Sequence, residues 1–82
     1  FQGEYDLVVA NIIARILIEL SPALFRAVRP GGTLILGGII DIKEDLVQDA
    51  FAAQGLHLER RDTREDWVVL VYTRLATGAS EQ

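Results

Sequence analysis

The apolar positions of the chain change spacing at Asn11. The segment Tyr5 to Ala10 is mainly apolar and contains two consecutive valines. Such a run is typical of a strand that is buried on both faces, as in parallel sheets, because a half-exposed strand alternates. After Asn11 the apolar residues recur every three or four positions, which places them on one face of a helix. The pattern predicts a strand, then Asn11, then a helix from Ile12.

The apolar stripe of this helix continues to the next turn signal. It consists of Ile13, Leu17, Leu20, Leu24 and Ala27 or Val28. Ser21-Pro22 interrupts the stretch, and serine followed by proline is also a good start for a second short helix. Because the stripe crosses the pair unbroken, we favour one helix that is kinked or restarted there. Pro30-Gly31-Gly32 should end it, since proline cannot continue a helix and glycine can take a positive φ.

A second strand and helix follow. Thr33 to Leu36 predicts a short strand that Gly37-Gly38 ends. Asp41 with Glu44 three residues later has the form of a capping box, with aspartate in place of serine or threonine. The helix behind it ends at Gly55. Its predicted buried side consists of Leu46, Val47, Ala50, Phe51 and Ala53.

The last part of the chain predicts two strands without a helix between them. Leu56 to Arg60 is the third strand, Arg61 to Asp66 a polar turn, and Trp67 to Tyr72 the fourth strand, so the pair forms an antiparallel hairpin. The complete order predicts an α/β fold: parallel strands with right-handed helical crossovers, closed by a C-terminal antiparallel hairpin. We expect residues 1–75 to be folded and residues 76–82 to be a disordered tail.

The composition limits the kinds of functional site that we expect in this chain. Half of the 82 residues are hydrophobic, which is rich for so short a chain and suggests a surface that something outside it covers. There is no cysteine and one histidine, so we expect no metal site and no thiol nucleophile. A net charge of −4 argues against direct nucleic acid binding. No apolar run is long enough for a bilayer, and we expect a cytoplasmic protein.

At this point the chain resembles a known family. The runs "YDLVVANIIA", "LIELSPALFRAVRPGGTLILGGI" and "AFAAQGLHLERRDTREDWVVLVYTR" resemble the C-terminal half of a class I methyltransferase domain, which has a Rossmann-like sheet. The nearest match is the PrmA family, whose members methylate a large-subunit ribosomal protein (L-eleven). Its Asn-Ile-Leu-Ala-like turn is represented by Asn11 to Ala14, its Pro-Gly-Gly turn by residues 30–32, and its hairpin tryptophan by Trp67.

The resemblance implies S-adenosylmethionine as cofactor, a protein substrate, and transfer of a methyl group to its amino groups. It places Asn11 at the catalytic and cofactor-binding position, with Ile12 beside the cofactor. The family's glycine-rich cofactor loop is absent from these residues, so we expect the 82 residues alone to be inactive. Gly37-Gly38 also replaces the serine-glycine pair that the family typically has.

Asn11 has two interpretations. From the residues alone it is an N-cap, because asparagine between a strand and a helix is among the preferred caps. It also follows the carboxyl end of a parallel strand, where ligands of open α/β sheets bind. An amide oxygen there can accept a hydrogen bond from a neutral amine without adding charge, and the resemblance raises this second interpretation to at least equal weight.

The other candidates have simpler interpretations. Gly37-Gly38 is a sharp strand end, or less often a close approach to substrate. His57 should face solvent, Trp67 should pack on the hairpin, and Asp41 should cap. The charged residues 59–66 form a solvated loop, with a partner contact as the alternative.

Two functional hypotheses remain open. The chain is part of a methyltransferase, or it is a non-catalytic α/β interaction or oligomerisation module derived from one. We also expect self-association through the outer edge of the first strand, which lacks the neighbour it would have in the complete sheet.

Overall fold

A computed structural model describes residues 4–76, so the predicted tail beyond Ala76 lies outside the described residues. The elements are β1 (Tyr5–Asn11), α1 (Ala14–Ala27), β2 (Val28–Ile40), a 3-10 turn (Asp41–Lys43), α2 (Glu44–Ala53), β3 (His57–Arg64) and β4 (Trp67–Thr73). The predicted order of strands and helices is confirmed. The α/β fold class is confirmed with it.

The four strands form one sheet in the order β1-β2-β4-β3. β1 and β2 are parallel and joined by α1, whereas β4 is antiparallel to both of its neighbours. β3 therefore runs in the same direction as β1 and β2. This is the predicted parallel sheet with one antiparallel strand contributed by a C-terminal hairpin.

α1 is a single helix that continues through Pro22, as the unbroken stripe predicts. Ser21 is buried, and its hydroxyl donates to the carbonyl of Ile18 at 3.0 Å instead of capping a second helix. The helix ends at Ala27, earlier than Pro30-Gly31-Gly32. At this end the Arg74 guanidinium donates to the carbonyl of Val28 at 2.7 Å, a favourable place for a cation because the helix dipole is negative there.

The glycine pairs Gly31-Gly32 and Gly37-Gly38 do not mark the two ends of β2, although the sequence predicted that they would. Pro30-Gly31-Gly32 lies within β2, where the register with β1 jumps from Tyr5↔Val28 to Leu7↔Thr33. Gly31 has φ +87°, so this irregularity needs the positive φ that was predicted at the turn. Gly37-Gly38 also lies inside the strand, at a second irregularity opposite β4. β2 thus bends at both pairs and continues.

The hairpin turn is shorter than predicted. β3 extends to Arg64, whose Cα pairs with Trp67, leaving Glu65 and Asp66 as the turn, with Glu65 at φ +54°. The prediction of a polar turn from Arg61 was wrong because β3 is an edge strand. An edge strand can expose its charged side chains while its backbone still pairs with β4.

The core lies between the two helices and one face of the sheet. Leu17 and Leu24 from α1 and Val47 and Phe51 from α2 are buried there, and the Phe51 and Tyr72 rings stack with centroids 5.8 Å apart. The helix patterns were partly wrong. Ile13, Leu46 and Ala53 were assigned to the buried sides but are exposed, because they lie off the stripes that contact the sheet.

The capping box at Asp41 was also wrong. α2 begins at Glu44, its N-cap is Lys43, and the cap forms no side-chain hydrogen bond. The Glu44 carboxylate instead receives two hydrogen bonds of 2.6 Å from Arg61 of β3 and one of 2.7 Å from Gln48. The hydrogen bond from Arg61 is the main cause that lowers the pKa of Glu44, with desolvation acting against it. This ion pair joins α2 to the edge strand.

The opposite face of the sheet is uncovered within residues 4–76. Leu7 is 56% exposed and Val9 is 61% exposed, although both lie in the strand that the sequence predicts to be buried on both faces. A contiguous apolar sheet face of this kind normally contacts another element. The part of the chain that the structure describes supplies helices for one face only.

Candidate functional site

Asn11 is the last residue of β1, at the carboxyl end of a parallel pair. Its Cα pairs with Gly37 of β2. The predicted N-cap role was wrong, because α1 begins at Ala14 and its N-cap is Ile13, without a side-chain cap. The residues Ile12 and Ile13 therefore separate the amide from the first turn of the helix.

The Asn11 side chain is exposed, and within residues 4–76 it forms no hydrogen bond. Its amide lies against the backbone of β2: an ideal Cβ on Gly37 would be 3.2 Å from Oδ1, and one on Gly38 would be 2.7 Å away. The prediction of a strand end at this pair is replaced by a bend in β2 that accommodates the amide. Its donor and acceptor are both available to a ligand.

A concave surface borders a pocket with a volume of about 540 Å³ in front of this amide. It is mainly apolar, and it is lined by Val9, Asn11, Ile35, Gly37, Gly38, Trp67, Val68 and Val69. Pockets of this size that combine apolar walls with a few polar groups are typical of small-molecule sites. The surface lies on the uncovered side of the sheet, at the end where ligands of α/β sheets bind.

Trp67 was predicted to pack on the hairpin, but its side chain forms one wall of this concave surface. It is 51% exposed and begins β4, with its Cα opposite Ile40. A second concave surface of about 270 Å³ shares Trp67 and Gly38 with the first and extends toward Ile13 and Lys43. The site is therefore open toward the first turn of α1.

Ile12, the other predicted cofactor contact, follows Asn11 in the turn to α1 and is partly exposed at 36%. Its backbone packs on Gly38: an ideal Cβ there would be 3.0 Å from the Ile12 carbonyl oxygen. Asn11, Ile12 and the glycine pair are thus neighbours in space. His57 is exposed on β3, as predicted, with Nε2 3.9 Å from Glu59.

The strongly perturbed ionisable groups lie elsewhere. Burial and the nearby Glu44 carboxylate raise the pKa of Tyr72 to about 12, but this ring belongs to the core between α2 and the sheet. Among residues 4–76, no group of three His, Asp or Glu side chains could hold a metal ion. In the same range, no helix is long and apolar enough to cross a membrane. The side chain that lines the concave surface beside the glycine pair is the neutral amide of Asn11.

Comparisons with known proteins agree on one family. The family model described as "Ribosomal protein L11 methyltransferase (PrmA)" matches residues 1–75. Proteins of that name from Chloroflexus aurantiacus and Brucella abortus are 49% and 45% identical over 89% and 84% of this chain. The chain spans 22% and 24% of their lengths.

Two solved structures share the fold. The ribosomal protein L11 methylase from Lactobacillus delbrueckii subsp. bulgaricus superimposes with a TM-score of 0.85 at 30% identity, covering 90% of this chain and 38% of that one. A methyltransferase from Pyrococcus furiosus has a TM-score of 0.74 at 14% identity and covers 92% and 43%. The second likeness concerns the fold alone.

Proposed function

The chain belongs to the ribosomal protein L11 methyltransferase (PrmA) family, and we propose that it is part of an S-adenosylmethionine-dependent protein N-methyltransferase that acts on amino groups of a ribosomal protein. The chain spans about a quarter of the length of the curated relatives it matches. The proposed activity is therefore that of a complete protein containing it, and we propose that the 82 residues alone do not catalyse methyl transfer.

The observation that carries this proposal is the position of the Asn11 amide. It is exposed at the carboxyl end of β1, beside an apolar concave surface, with no hydrogen-bond partner among residues 4–76. A polar group whose surroundings are apolar and whose hydrogen-bonding capacity is unused fits a ligand that supplies a donor. A neutral amine is such a donor.

Bound S-adenosylmethionine would supply a methyl carbon bonded to a positively charged sulfur. The bond from the amine nitrogen to that carbon would form as the carbon–sulfur bond breaks, with the neutral sulfide as leaving group. The contribution of the protein is mainly orientation, because the attacking nitrogen must be in line with that bond. We propose that Asn11 Oδ1 accepts a hydrogen bond from the amine and so directs its lone pair. Being uncharged, the amide does not compete with the amine for the sulfonium.

We propose that Ile12 and the apolar wall formed by Val9 and Trp67 contact the cofactor or the aliphatic part of the substrate. These side chains contribute shape and exclude water, while the single amide fixes orientation.

The test is Asn11→Ala in the complete protein, with the ribosomal protein as acceptor. We expect kcat to fall by about 100-fold, since loss of alignment by about 1 Å has an effect of that order. The dissociation constant for S-adenosylmethionine, measured by calorimetry, should change much less. Gln54→Ala is the matched control, because it removes an amide at the far end of α2 and should leave both quantities unchanged. A variant Asn11→Ala with full kcat would contradict the proposal.

The alternative, a non-catalytic interaction module, is favoured by one observation: the uncovered apolar sheet face beside β1. It predicts that the complete protein neither binds S-adenosylmethionine nor transfers methyl groups, and that the face binds another protein surface. The calorimetric measurement on the unmodified protein separates the two functions.

A further inference from the structure

Gly38 lies at the irregularity of β2 and has φ +75°. An ideal Cβ built on it would be 2.7 Å from Asn11 Oδ1 and 3.0 Å from the carbonyl oxygen of Ile12. Distances below 3.0 Å are essentially never found around real Cβ atoms, so a side chain at this position requires a shift, and the nearest atom is Oδ1 at the end of the Asn11 side chain. The space above Gly38 is the space that the amide occupies.

An ideal Cβ on the preceding glycine, Gly37, would also be close to the Asn11 side chain, but at longer distances. The three atoms nearest to an ideal Cβ on Gly37 are Oδ1, Cγ and Cβ of Asn11, at 3.2, 3.5 and 3.9 Å. Its φ is outside the positive region that L residues avoid, so an alanine there meets the Asn11 side chain and little else. Two consecutive glycines thus lie next to the Asn11 amide, and a Cβ on the second, Gly38, would be closer to it.

We propose that Gly38 is a positioning residue that fixes the place of the Asn11 amide, with Gly37 as a weaker contributor; this rests on the role proposed for Asn11. The bend of β2 at Gly38 lets the turn from β1 to α1 close against the strand. The space that Gly38 leaves free is where Oδ1 lies, at the rim of the concave surface. A methyl group at Gly38 would push Oδ1 out of this position and misalign the acceptor amine.

The test is a double-mutant cycle in the complete protein, because a cycle isolates the interaction between two positions. Gly38→Ala should lower kcat by about 10-fold to 100-fold, with the KM for S-adenosylmethionine changing by less than about threefold. In the Asn11→Ala background the amide is gone, and Gly38→Ala should then cause a much smaller loss of kcat, since only the contacts with the Ile12 backbone remain. Single-turnover rates keep the slow variants measurable.

Two glycine variants serve as controls. Gly55 has φ +89° with no atom within 4 Å of an ideal Cβ, so Gly55→Ala introduces the same type of backbone strain without a contact. It should leave kcat unchanged. Gly37→Ala should give a smaller loss than Gly38→Ala, and that loss should vanish in the Asn11→Ala background. If thermal unfolding shows that Gly38→Ala does not fold, the cycle of Gly37 with Asn11 decides the proposal.

The outcomes are distinguishable. Equal losses of kcat from the glycine substitution with and without the Asn11 amide would overturn the positioning role while leaving the role of Asn11 intact. A full kcat for Asn11→Ala alone would overturn the role of Asn11, and the positioning role with it. A loss that is much larger when the amide is present supports both.

Discussion

The two faces of the sheet differ in what covers them. One face contacts α1 and α2, and its residues, such as Leu36 and Tyr72, are almost completely buried. The other carries Leu7 and Val9, which are more than half exposed, and ends at the Asn11 amide and Trp67. The covered face contributes stability, whereas the uncovered face carries the candidate site. The residues that stabilise the fold and those of the candidate site therefore lie on opposite faces of the same sheet.

The largest expected effect compares two leucines on opposite faces. In the 82-residue chain, Leu36→Ala should lower the free energy of unfolding by about 2–5 kcal/mol, because it leaves a cavity in the core. Leu7→Ala should cost less than about 1 kcal/mol, since the side chain is already exposed. Urea unfolding of the two variants measures both values. Equal losses would mean that the Leu7 face is covered in solution.

Self-association is the next test of the difference between the covered and the uncovered face of the sheet. β1 pairs with one strand among the described residues, β2, and an apolar edge of this kind is a template for association. We expect the isolated chain to form dimers or larger oligomers in sedimentation experiments, and Val9→Lys to shift them toward monomer. Ile42→Lys is the matched control, because Ile42 is 78% exposed but lies outside the sheet. A monomeric unmodified chain at high concentration would refute this expectation.

A smaller effect concerns the ion pair at the rim of the covered face. The pKa of Glu44 is lowered below the usual 4.5, so the ion pair stabilises the fold above that pH and loses its contribution as the pH falls through the lowered pKa. Glu44→Gln should therefore have a lower unfolding temperature than the unmodified protein at pH 7. The difference should shrink at pH values below 4.5. A difference that is independent of pH would exclude this linkage.

The sequence predicted the order of the strands and helices better than it predicted their ends and their contacts. The change of spacing at Asn11 located the carboxyl end of β1, and the unbroken stripe predicted one helix through Pro22. The Asn11 cap was wrong because its position relative to the first turn depends on where α1 begins, two residues further on than predicted. The extension of β3 to Arg64 was missed since charged residues indicate a turn unless an edge strand exposes them.

The site was only partly predictable for a related reason. That Asn11 lies at the carboxyl end of a parallel strand follows from the order of elements, which is a property of the sequence. That Gly38 borders its amide depends on the register of β1 with β2, which only the three-dimensional pairing fixes. Burial of Leu7 and Val9 was predicted from their apolar character, but coverage depends on whichever surface packs there. Local pattern therefore located the end of β1 and missed the contacts that its residues form.

The most direct test is a structure of the complete protein with S-adenosylhomocysteine and an acceptor peptide that carries the target amine. We expect the amine nitrogen about 2.7–3.2 Å from Asn11 Oδ1, the range of a hydrogen bond, within the concave surface bordered by Trp67. An amine bound away from the carboxyl end of β1, with Asn11 directed elsewhere, would contradict the account.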